Sequence, residues 1–229
     1  MATEPEAVKV NLKELGSVSA LLYGAAKKNR MGTTLILGHG AGADQLSGFM
    51  RLFAAGLAAR GLDTLTFNFL YKEQGRSIPD HKSKLEACYL AVIETARLYR
   101  KLRANRLVIG GKSMGGRIAS QVAAVAAGEL AGLVFFGYPL HPPGKPEKLR
   151  TAHLQDIHAP MLFIQGSRDA FGSAAEIREV VTSLRLPATI YEVAGGDHSF
   201  KVPKSGPLSQ EQVYEAAMDK VVEWLGQRE

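Results

Sequence analysis

The sequence predicts an α/β fold with a mostly parallel central sheet and helices on both faces. Short apolar runs of strand length alternate with amphipathic helical patterns along the 229-residue chain, and alternation of that kind builds a parallel sheet covered on both sides. A second observation is the tight turn Gly111-Lys112-Ser113-Met114-Gly115, which stands between the apolar run Leu107-Val108-Ile109 and a helical pattern. A third is the absence of any low-complexity linker, which favours a single domain over residues 1–229.

Taken in order, residues 7–12 and 18–23 read as two short strands around the turn at Gly16, an antiparallel hairpin at the sheet edge. Thr33 to Gly38 reads as a strand leading into His39-Gly40-Ala41-Gly42, then a helix with Phe49, Leu52, Phe53 and Leu57 at its apolar positions. Asp63 to Phe69 reads as a strand, Tyr71 to Pro79 as a polar loop, and Asp80 to about Ala104 as a long helix. That helix carries Leu85, Cys88, Val92, Ala96 and Tyr99 on one face. After the strand and helix around Ser113 come a strand from Gly132 to Tyr138, a Pro-rich loop, and a strand from Met161 to Gln165 ending at Gly166. Ala174 to Leu184 reads as a helix and Ala188 to Val193 as a strand. Gln210 to Leu225 is the last helix, with Val213, Ala217, Val221 and Trp224 on one face.

Composition excludes several classes. No apolar stretch approaches the roughly 20 residues of a membrane span, and the first ten residues read as neither a secretory signal nor a basic transit peptide, so cytoplasmic residence is the expectation. Cys88 is the single cysteine, which excludes an internal disulfide and a cysteine-rich metal site and fits a small buried hydrophobe. The formal charge is +6. Its Lys and Arg residues are scattered over several segments without aromatic interleaving, so no nucleic-acid partner is expected.

The turn at Ser113 has two readings. Gly-Lys-Ser also ends a phosphate-binding loop, but that pattern needs a glycine five residues before Gly111, where Arg106 stands, and a flexible loop where this chain has strand residues. The other reading is a nucleophile elbow, in which serine sits in a strained turn between strand and helix and small residues two before and two after it relieve a clash. Gly111 and Gly115 fit that need. A serine hydroxyl also requires a base, and the base requires an acceptor for its second ring nitrogen. His198 follows the last strand in Gly195-Gly196-Asp197-His198, and Asp169 follows the preceding strand in Gly166-Ser167-Arg168-Asp169. Each alone is ordinary: a turn serine, a surface histidine, a capping aspartate. Their order and joint placement beyond strand ends promote them.

Backbone amides complete the site. Met114, at the helix start, and Ala41, with Gly42 as the alternative, are the expected oxyanion donors. Of the other histidines, His39 is expected to pack beneath the glycine turn, His81 to begin a helix, and His153 and His158 to flank the Met161 strand. Asp197 is assigned to loop structure. His141, Phe171 and Gly42 are candidate substrate contacts, with Phe200 as a further pocket wall. Lys112, Lys72, Arg76 and Glu73 either tune substrate charge or are solvated surface groups.

With these residues in hand, the chain resembles small serine members of the α/β-hydrolase superfamily, within the dienelactone-hydrolase-like branch. The strings Gly38-His39-Gly40-Ala41-Gly42-Ala43-Asp44, Phe67-Asn68-Phe69, Gly111-Lys112-Ser113-Met114-Gly115-Gly116 and Tyr138-Pro139-Leu140-His141 resemble a subgroup of intracellular hydrolase-like proteins. The chain departs from dienelactone hydrolases proper, which carry cysteine where Ser113 stands. The resemblance implies an α/β-hydrolase fold. The interval from Pro139 to Pro160 is too short for a separate cap domain, giving an open site. The expected chemistry is hydrolysis of a small-molecule ester or thioester through an acyl-enzyme, with no metal or organic cofactor; the rival reading is a catalytically silent hydrolase fold that binds a partner or ligand.

Overall fold

The computed structural model describes residues 4–125 and 128–227. Among them, eight strands form one sheet: β1 (Glu6–Asn11), β2 (Ser17–Tyr23), β3 (Thr33–Gly38), β4 (Asp63–Phe67), β5 (Arg106–Lys112), β6 (Gly132–Phe136), β7 (Met161–Gly166) and β8 (Ala188–Val193). Their spatial order is β1-β2-β4-β3-β5-β6-β7-β8. The first two pair antiparallel, and β2 joins β4 antiparallel; every pairing from β4 to β8 is parallel. The expected edge hairpin and parallel sheet are therefore both present.

Six helices accompany them among the described residues: α1 (Gly48–Ala59), α2 (Leu70–Glu73), α3 (Lys82–Leu98), α4 (Met114–Val125), α5 (Ala174–Ser183) and α6 (Gln210–Gly226). Successive strand residues point to opposite faces, and the two cores follow that alternation. Ile36, Ile109, Leu133, Phe135 and Phe163 pack on the face covered by α3 and α4, while Leu35, Leu37, Val108, Val134, Phe136 and Ile164 meet α1 and α6. Fully burying one such side chain contributes about 1.5–3 kcal/mol, so both faces hold the sheet. Cys88 lies in the α3 core, where burial pushes its thiol up to about 12.

Several sequence boundaries shift. The strand read to Phe69 ends at Phe67, and the polar loop opens with the short helix α2, because Tyr71 is buried rather than solvated. The long helix begins at Lys82 and stops at Leu98: Tyr99 turns extended, and Leu102 tucks into the core from the turn that leads back to β5. The strand read to Tyr138 ends at Phe136. On α1, Leu52 faces solvent and Met50 takes a core position in its place. No helix among the described residues is long and apolar enough to cross a membrane.

The sheet order positions the site. From β3 the chain runs outward to β4 and then returns to β5 on the other side, so the order reverses between β3 and β5. A crevice opens at such a switch point, beyond the carboxyl ends of the strands. Gly38 and Gly111 are register partners there, so the turns leaving these two strands are neighbours. Between β6 and β7 the chain forms turns and one short 3-10 segment, Leu154–Asp156, with no cap domain.

Candidate active site

Ser113 occupies the single-residue turn between β5 and α4 with φ of 51°, a left-handed conformation that a non-glycine residue holds only under constraint. The neighbours supply that constraint. Its N–H donates to Phe136 O at 3.1 Å, and its carbonyl accepts from Arg117 N at 3.1 Å. A Cβ on Gly115 would lie 2.1 Å from Gly38 O, and one on Gly111 would lie 2.4 Å from the same oxygen. Only glycine fits either position, as the elbow reading requires.

The loops after β7 and β8 bring the other two groups to this turn. His198 Nε2 lies 2.8 Å from Ser113 Oγ, and His198 Nδ1 lies 2.8 Å from Asp169 Oδ2. With Asp169 accepting from Nδ1–H, Nε2 is left as the acceptor for the serine hydroxyl. The carboxylate is fully buried while the imidazole side chain retains 21% exposure. Asp169 is held from two further sides: Gln165 Nε2 donates to Oδ2 at 2.9 Å, and Phe171 N donates to Oδ1 at 2.8 Å. Asp197 shapes the histidine loop, its Oδ1 accepting from Ser199 N and Lys201 N, as its loop assignment predicts.

Opposite the elbow, Ala41 and Gly42 are exposed on the turn after β3. The Ala41 amide has no acceptor among the described residues. Met114 is the first residue of α4, and its amide belongs to those that a helix leaves without an intrahelical partner. His39 fixes this turn from below. Its buried ring donates from Nδ1 to Gly40 O at 2.8 Å and accepts at Nε2 from Phe69 N at 3.2 Å. Burial pushes the ring down to about 4, keeping it neutral for this two-sided role.

The sequence profile of the alpha/beta hydrolase domain family matches residues 31–226. The chain belongs to that family. Solved structures agree on the fold. Dienelactone hydrolase from Anabaena variabilis matches with a TM-score of 0.77 and 20% identity, covering 99% of each chain. A serine hydrolase without a lid from Xanthomonas campestris matches at 0.71 and 20% identity, covering 98% of this chain and 96% of that one. An esterase from Pyrococcus furiosus matches at 0.75 and 17% identity, covering 98% and 91%.

Around this site the remaining candidates sort unequally. Phe171 packs against the imidazole at a tilt of 33°, its ring centroid 4.3 Å from that of His198. Phe200 is fully buried beside Phe49, so it supports the floor of the site and is not an open pocket wall. His141 is buried, with Nδ1 2.9 Å from Pro142 O and Nε2 3.2 Å from Glu176 Oε1. Its backbone N–H donates to Phe171 O at 3.0 Å. His141 is thereby tied to the acid loop and the start of α5. Lys112 departs most from expectation: it is buried, its ammonium donating to His198 O between the rings of Phe49 and Phe200.

Gln165 went unnoticed in the sequence. Fully buried at the end of β7, it donates to Asp169, to Gly172 O and to Tyr138 O, and accepts from Tyr138 N. A polar residue closing an otherwise apolar strand four residues before the acid was the available signal.

Proposed function

We propose that this protein is a serine hydrolase that cleaves a carboxylic ester or thioester of a small substrate. The observation that carries the reading is the unbroken hydrogen-bond relay from Ser113 through His198 to Asp169, both links 2.8 Å long. In this reading Ser113 Oγ attacks the substrate carbonyl carbon as its proton passes to His198 Nε2, and the carbonyl electron pair moves onto oxygen. Asp169 stays ionised and stabilises the imidazolium through Nδ1–H. The amides of Met114 and Ala41 receive the oxyanion. Collapse expels the alkoxide or thiolate, which takes the proton from Nε2, and water activated by the same nitrogen then releases the acid.

Two further features support this reading. The turn bearing Ala41 and Gly42 is exposed and no cap covers it, which suits a small substrate arriving from solvent. The Pyrococcus furiosus neighbour is an esterase, a class with the same chemistry. A fluorophosphonate probe should label the wild-type protein, and Ser113→Ala should abolish labelling with the far-ultraviolet circular dichroism unchanged. Labelling that survives in the variant would show another nucleophile and sink the proposal.

A further inference from the structure

Lys112 precedes the nucleophile in sequence, yet its side chain reaches the base. It ends β5 with only 9% of its surface exposed. Its Nζ donates to the backbone carbonyl of His198 and stands 5.8 Å from the ring centroid of Phe49 and 5.6 Å from that of Phe200. Among the described residues no carboxylate lies within ion-pair distance of it. A buried ammonium without an ion partner is costly to maintain, so its retention beside a catalytic loop calls for a reason.

The space it occupies is kept open. Gly137, just beyond β6, has φ of 66°, and a Cβ there would lie 2.9 Å from Lys112 Nζ and 2.9 Å from His198 O. A side chain at this position would sever the contact. The nucleophile and the base are otherwise carried by separate elements, the end of β5 and the loop after β8, joined among the described residues by one side-chain link, Ser113 to His198. Lys112 adds a second link, one residue from Ser113 at one end and on the backbone of His198 at the other.

The geometry points to Lys112 as a positioning residue that fixes His198 over Ser113 by gripping the His198 carbonyl. The inference rests on Ser113 and His198 acting as nucleophile and base. A hydrogen bond from a charged donor is roughly twice as strong as a neutral one, so the grip depends on the proton state of the amine. Burial lowers the Lys112 amine from its ordinary 10.5 to about 8, opposed by the charges of Asp169 and Asp197. The groups facing it are Asp169 from the loop after β7 and Asp197 and His198 from the loop after β8. Its other neighbours are the uncharged Phe49 of α1 and Gly137 beyond β6, and α6 brings Tyr214, whose ring lies 6.5 Å from that of Phe49.

The test is the rate of fluorophosphonate labelling across pH 6 to 10 in the wild type, Lys112→Met and Lys112→Gln, with circular dichroism confirming each fold. Wild-type labelling should fall several-fold as pH rises through about 8. Lys112→Met should label on the order of tenfold more slowly at pH 7 and show no alkaline fall, with Lys112→Gln, a neutral donor, between the two. A Lys112→Met rate within twofold of wild type with the same profile overturns the inference. So does a wild-type rate that stays flat or rises above pH 8, a rise being the result expected if the ammonium chiefly repels the imidazolium. The wild-type profile decides the matter even where a variant fails to fold. A wild type that labels at no pH overturns the hydrolase reading itself, and this inference with it.

Discussion

Two serine–histidine contacts of nearly equal length occur in this molecule: Ser113 Oγ to His198 Nε2 at 2.8 Å, and Ser120 Oγ to His153 Nε2 at 2.7 Å. The serines stand seven positions apart in the chain, yet their settings differ. Ser113 stands on a strained turn at the mouth of the crevice. Ser120 lies inside α4, fully buried, with its hydroxyl donating to Arg117 O three residues back. His198 is hydrogen-bonded to the buried carboxylate of Asp169, whereas burial, together with the charges of Lys82 and Arg117 and against that of Asp156, pushes the His153 ring down to about 4. A serine–histidine distance alone therefore does not distinguish the two pairs. The buried carboxylate behind the ring, the strained, partly exposed turn and the helix-start amide of Met114 set the proposed nucleophile apart.

The sharpest way to break this contrast is to remove the carboxylate. Asp169→Asn preserves shape but replaces an acceptor-only group with one that can donate to His198 Nδ1, leaving Nε2 protonated and unable to take the serine proton. Ester turnover, followed with p-nitrophenyl acetate, should fall by about 10⁴-fold. A loss below tenfold would mean that His198 functions as His153 is placed, without an orienter.

Acid distinguishes the histidines by a different route. His39 is fully buried with its ring lowered to about 4, and the unfolded chain restores a value near 6.5. Between those values the unfolded state binds more protons than the native one, so the stabilising contribution is complete above about 6.5 and is lost as pH falls toward 4. For His39 the loss by pH 4 is roughly 3 kcal/mol, and His153, lowered in the same direction, adds to it. Urea unfolding at a series of pH values should show this slope, and His39→Gln should flatten it. Because His39 ties the Ala41 turn to the segment just after β4, turnover of p-nitrophenyl acetate should decline along with stability.

What the sequence revealed follows from how local each signal is. The alternation of apolar runs locates the strands of the sheet, and glycines at 111 and 115 mark the elbow because close approach leaves no room for a Cβ. Asp169 and His198 are legible as residues just past strand ends, where a parallel sheet gathers its loops. Lys112 and Gln165 are not legible in that way. Charge and polarity predict solvent for both, and only the convergence of β5, β6 and the later loops creates interior partners for an ammonium and an amide. The end of α3 is obscured for a similar reason: Leu102 continues the apolar pattern, but it reaches the core from a turn.

The smallest effect belongs to the second serine. Ser120→Ala removes a hydroxyl that bridges Arg117 O and His153 Nε2, leaving a partly buried ring nitrogen without its partner, which costs about 1–3 kcal/mol. The cost should appear as a lower urea midpoint with an unchanged slope. Fluorophosphonate labelling should remain within about twofold of wild type at full occupancy of the fold, since α4 keeps the Met114 amide and the Ser113 turn in place through backbone bonds and close-packed glycines. A large fall in labelling with stability intact would instead show that the buried pair communicates with the elbow along the first turns of α4 between them.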